Sequence, residues 1–95
     1  MDYRQLKIDP EAHIAPNATI LGNVELGRDV TVFAGATLRG DYGACIKVDD
    51  GTNIQEGVCV HLGATSPTTI GRGCTVGHGA IVHGCTIGDN VLVGM

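Results

Sequence analysis

The stretch Thr69–Gly84, "TIGRGCTVGHGAIVHG", carries an aliphatic residue at every sixth position: Ile70, Val76 and Val82. The spacing runs outward from there. Ile14, Ile20, Leu26, Val32 and Leu38 keep it near the N-terminus, and Val48, Ile54 and Val60 keep it in the middle. Ile87 and Val93 close the series after a slip of one residue. Small or β-branched residues follow many anchors by four, at Ala18, Val24, Val30, Ala36, Val58, Cys74 and Ala80. A glycine often follows the anchor directly. Helices cannot use a period of six, because it is no multiple of about 3.6 residues per turn. A plain strand alternates every two residues, and a meander of antiparallel strands has no fixed longer period. A hexapeptide repeat fits a parallel β-helix, in which each repeat is one short strand plus a corner. Three repeats make one coil of a triangular prism, with the anchor and the small residue pointing inward. The pattern leaves the hand of the coil open.

Composition agrees with an all-β chain of short strands. Gly is 15 of 95 residues, about twice the usual share of roughly 7%. There is no Trp, one Phe and two Tyr, so the core must be aliphatic. The length suits one small domain, read here as a single β-helix domain over residues 1–95. A net charge of −4, spread along the chain, excludes a basic footprint for nucleic acid. No apolar run approaches the roughly 20 residues of a membrane helix, and the first residues lack a signal-peptide core. Cys45, Cys59, Cys74 and Cys85 form no CxxC pair and lie in apolar stretches, which points to a reduced, cytoplasmic protein. No spacing among them matches a thiolate metal site.

Two insertions interrupt the lattice. Leu38 to Val48 and Val60 to Ile70 are each ten residues rather than six, so "RGDYGACIK" and "LGATSPTT" must bulge at corners. Every third face stacks, so the faces anchored by Leu38, Val60 and Val82 lie one above another. The residues after these anchors are Arg39, His61 and His83, which form one outward column. His61 and His83 are then about 4.8 Å apart at the backbone, a spacing from which two imidazoles can share a metal. His78 follows Val76 by two and belongs to the preceding face, above Gln55 and Glu56. One chain therefore supplies two ligands on one face and a third pointing elsewhere. A closed three-fold ring would bring His78 of one copy to His61 and His83 of its neighbour. Three histidines and an open position are the pattern of catalytic zinc. Asp41 lies beside Arg39, and Tyr42 beside Asp41 is either a pocket residue or a packing one. His13, in the first coil, reads as a surface residue.

The segments "LRGDYG…IKVDDGTNIQEGVCVH" and "TIGRGCTVGHGAIVHGCTIGDNVLVGM" closely resemble the gamma-class carbonic anhydrase family, and "AHIAPNATILGNVELG" resembles its first coil. The resemblance covers essentially the whole chain. It implies a left-handed parallel β-helix, short at about four coils, assembled as a homotrimer with metal at the subunit interfaces. It implies metal ligands at His61, His78 and His83, with zinc, or iron or cobalt, as the ion. It implies reversible hydration of CO2 to bicarbonate by a metal-bound hydroxide, with Gln55 orienting the hydroxide and Glu56 accepting or relaying a proton. Arg39 and Asp41 would form a pair between subunits.

Three departures stand out. Glu56 occupies a position where the family usually has Asp. The loop after His61 holds no carboxylate, whereas the best-studied active type carries a glutamate shuttle in a long acidic loop. Family chains also continue past "VGM" with more coils and a C-terminal helix, so a truncated form or fragment of such a chain is expected. A non-catalytic scaffold that keeps the metal is the competing expectation. A metal-free acyltransferase, or a thioesterase, on the same repeat is a further one.

Overall fold

The computed structural model describes residues 6–41 and 43–95; Tyr42 lies outside them. The chain winds as a left-handed parallel β-helix. Its first coil is β1 (Leu6–Ile8), β2 (His13–Ile14) and β3 (Thr19–Gly22). The second is β4 (Val24–Leu26), β5 (Thr31–Val32) and β6 (Thr37–Gly40). The third is β7 (Ile46–Val48), β8 (Asn53–Ile54) and β9 (Cys59–His61). The fourth is β10 (Thr68–Ile70), β11 (Thr75–Val76) and β12 (Ile81–His83), and β13 (Thr86–Ile87) and β14 (Leu92–Val93) begin a fifth. Each strand pairs in parallel with the strand three places on, which gives three sheets: β1-β4-β7-β10-β13, β2-β5-β8-β11-β14 and β3-β6-β9-β12.

The six-residue lattice is the core. Leu26, Val32, Leu38, Val48, Ile54, Val60, Ile70, Val76 and Val82 are all at most 3% exposed. So are the inward small positions Val24, Val30, Ala36, Val58 and Cys74. The structure adds one strand the anchor series omits. Ile8, six before Ile14, is the anchor of β1 and pairs with Leu26. The insertions also bring inward residues of their own, since Ile46 and Leu62 are fully buried.

Corners obey a rule that the glycine directly after the anchor does not reveal. At two of the three corners the left-handed residue is the third after the anchor, and at the remaining corner Gly22 and Gly84 take that conformation two after theirs. The third residue is Asp29, Gly51, Gly73 and Asn90 at one corner, and Gly35, Gly57 and Gly79 at the next. A short polar side chain or none is what that backbone region tolerates.

Two inward positions are polar. Thr52 and Thr68 are fully buried, yet no buried side-chain polar atom among the described residues lacks a partner. Thr52 Oγ1 donates to the Gly71 carbonyl at 2.6 Å and accepts the Cys74 N–H at 3.0 Å. Replacing it by Val keeps the volume and orphans both backbone groups, at a cost of about 1–3 kcal/mol. Thr52→Val should therefore lower the thermal midpoint by roughly 4 °C or more, measured by circular dichroism.

Candidate metal centre

β9 and β12 are neighbours in one sheet, and their register sets His83 directly against His61. Both side chains leave the same outer face, one coil apart. Their rings stack with centroids 5.3 Å apart and planes inclined by 16°. β6 lies below β9 in the same sheet, and its third residue is Arg39.

Asp41, from the first insertion, reaches into this column. Arg39 donates to Asp41 Oδ2 from Nε at 3.2 Å and from Nη2 at 3.0 Å. Asp41 Oδ1 is 3.3 Å from His61 Nε2. The carboxylate side chain is only 14% exposed. Burial by itself would raise its pKa, but the hydrogen bond and positive charge of Arg39 prevail, helped by its own backbone N–H and by His61. The carboxyl is thus held below its ordinary range. Arg39 and Asp41 bind each other within one chain.

A second cluster forms on the preceding face. β11 stacks on β8, with Val76 over Ile54. One and two residues further on, Gly77 and His78 stand over Gln55 and Glu56. Glu56 Oε1 lies 3.0 Å from His78 Nδ1, and both side chains are about half exposed. Gln55 donates from Nε2 to Asn53 Oδ1 at 3.1 Å, and Asn53 Nδ2 donates to Thr75 Oγ1 at the same distance. A cavity of about 270 Å³ opens here, walled by Gln55, Thr75, His78, Leu92, Val93 and Met95.

Arg39, Asp41, His61 and His83 therefore meet on one face, and Gln55, Glu56 and His78 meet on another. Among the described residues no three His, Cys, Asp or Glu of one chain come together to hold a metal ion. Two stacked imidazoles are half of a tetrahedral donor set for a borderline ion such as zinc. His78 is the remaining imidazole near a site, and it points from a different corner. The donor types fit such an ion. The reading from sequence missed Asn53, which fixes the Gln55 amide, and Thr68, which touches the His61 carbonyl at 2.5 Å. An Asn two residues before Gln55 on a two-residue strand was the available signal for the first. His13 is exposed and 3.8 Å from Asp29, away from both clusters.

Residues 67–95 match the bacterial transferase hexapeptide family (six repeats). Gamma carbonic anhydrase 1, mitochondrial, of Arabidopsis thaliana is 42% identical over 94 residues, covering 93% of this chain and 34% of that protein. The carnitine operon protein CaiE of Escherichia coli is 44% identical over 88 residues, covering 93% of this chain and 44% of its own. The chain belongs to the hexapeptide-repeat family of the gamma carbonic anhydrases and CaiE. It spans about a third to under a half of the length of these curated relatives. A chain in a crystal structure of the CcmM N-terminal domain in complex with CcmN shares the fold of this hexapeptide-repeat chain. Its TM-score is 0.59 at 16% identity, with 94% of this chain and 85% of that one covered. The described residues contain no helix long and apolar enough to cross a membrane.

Stabilisation from the Arg39–Asp41–His61 contact is complete above the ordinary carboxyl value of 3.8 and is lost as pH falls through the lower folded value. The carboxyl-carbon NMR titration of Asp41 should have its midpoint below 3.8 in the native protein and above the native midpoint in Arg39→Met.

Proposed function

We propose that copies of this chain close into a ring in which His61 and His83 of one copy and His78 of the next hold one divalent metal ion. The assembly interconverts CO2 and bicarbonate. One observation carries the reading: the imidazoles are divided between two faces, two stacked in register and the third held by a carboxylate at another corner. The gamma carbonic anhydrases among its relatives support the reaction class. Zinc, iron and cobalt all suit imidazole donors, and the ligand set does not choose among them. A reducing compartment such as the cytoplasm suits four free cysteines, none of which the reaction uses.

When bound, the metal would supply the Lewis acidity that makes water a nucleophile near neutral pH. The surrounding residues then have separable tasks. Glu56 Oε1 accepts from His78 Nδ1–H, which leaves Nε2 as the unprotonated ligand atom. Gln55 commits one N–H to Asn53, so its Oε1 is free to accept a hydrogen bond from the reacting water and fix its direction. Addition of water to CO2 gives bicarbonate and one proton. Residues 62–67 include no Asp or Glu, so the proton passes to Glu56 or directly to buffer. Arg39 holds Asp41 in place and takes no part in the bond changes.

The carboxylate-free loop also favours a second reading, a scaffold that keeps the metal and hydrates CO2 slowly or not at all. Stopped-flow CO2 hydration separates the two. The first reading requires turnover that rises with buffer concentration until release of the proton no longer limits the rate. Turnover at the metal-free background at every buffer concentration leaves the scaffold.

The interface site is tested by mixing. His78→Ala and His83→Ala chains should each fail to retain stoichiometric metal alone. Unfolded together and refolded, they should regain metal in part, at one site in each mixed ring of three, because a chain with His61 and His83 then meets a neighbour with His78 at one interface. Metal retained by His78→Ala alone would refute the shared site.

A further inference from the structure

We infer that Thr68 is a positioning residue that fixes the spacing of His61 and His83 through their backbones. The inference rests on the three-histidine centre proposed above. Leu6, Val24, Ile46 and Thr68 occupy one inward column, paired rung by rung along β1, β4, β7 and β10. The first three are apolar, and the fold asks for nothing else at that place. A hydroxyl there costs free energy unless its hydrogen bonds are made. It appears only at the level of the histidines.

Both of its bonds go to the histidine rung. β9 ends at His61 and β12 ends at His83, so the parallel ladder between them stops at that pair. Its last rung is long, with Gly84 N donating to the His61 carbonyl at 3.3 Å. Thr68 Oγ1 donates to that same carbonyl at 2.5 Å and accepts the Gly84 N–H at 2.8 Å. One buried hydroxyl thus joins the backbone of the first histidine to the residue after the second. The chain leaves His61 through the insertion and comes back at Thr68, so the residue that ends the excursion also clamps its start. Ligand atoms on adjacent coils must be held within about 0.5 Å of productive geometry, and this rung is the last backbone link between the two strands that carry the stacked rings.

Thr52 supplies an internal control. It is equally buried and makes the same pair of bonds, one donated and one accepted, but to Gly71 and Cys74 at a corner away from the histidines. A purely structural hydroxyl should behave alike at both places.

The test is cobalt(II) affinity of the assembled protein, read from visible absorption in competition with a chelator, well below every variant's thermal midpoint. Thr68→Val should bind cobalt 10- to 100-fold more weakly than the native chain, the usual loss when a ligand's outer support is removed. Thr52→Val and Thr68→Ser should stay within about threefold of native affinity, a margin far below that loss. Equal losses in Thr68→Val and Thr52→Val, or a tenfold loss in folded Thr68→Ser, would overturn the inference while leaving the metal centre standing. Failure of the native chain to bind cobalt at all would overturn the centre and the inference together. Should Thr68→Val not fold, Thr68→Ala against Thr52→Ala reads the same difference.

Discussion

The register of the parallel ladder is the constraint on which everything else depends. A strand with one face in an aliphatic prism cannot slip by one residue, because the slip would turn every anchor outward and every polar neighbour inward. Leu38 must therefore lie on Ile20, and Val60 on Leu38, whatever the intervening chain does. Across an ordinary coil the partners are 18 residues apart, and across an insertion they are 22. Outward residues inherit this order without any contact of their own. His83 stands on His61 because Val82 is buried on Val60.

That dependence explains what could be read from the sequence. The period of the anchors gave three faces, counting faces gave columns, and columns gave the pairing of His61 with His83 and of His78 with Glu56. Spacing is enough for these because backbone stacking decides them. It was not enough where a side chain crosses from one column to another. Asp41 bends from a bulged corner to His61, and no hexapeptide register governs a bulge. The opening strand was missed for a different reason. Ile8 fits the period and has Ala12 four residues on, but it opens the prism, where no earlier anchor stands six residues before it to mark the repeat. The two buried threonines were hidden because a β-branched residue fits the inward slot whether or not its hydroxyl is used.

Both insertions leave the prism at the same corner, after Leu38 and after Val60, and they stack on each other there. Gly43 packs against the backbone of Ala64 so closely that a side chain on it would collide. The supporting groups of the histidine pair come from these excursions. Asp41 comes from the lower one and Thr68 from the end of the upper one. A regular six-residue corner has too few residues to provide the position of Asp41. The scaffold fixes where the imidazoles start, and the irregular segments hold them.

Asp41 has two oxygens with different partners. Its Oδ1 occupies His61 Nε2, an atom that a metal ion would also seek. A carboxylate with no other partner would lose much on giving up that contact, since burial works against its charge. Asp41 has another partner, because both guanidinium bonds go to Oδ2 and not to the oxygen that meets His61. Without metal, Asp41 helps hold the ring on its column. Were Nε2 engaged elsewhere, the contact given up would be the single 3.3 Å one from Oδ1, and the two guanidinium bonds to Oδ2 would not be the ones broken.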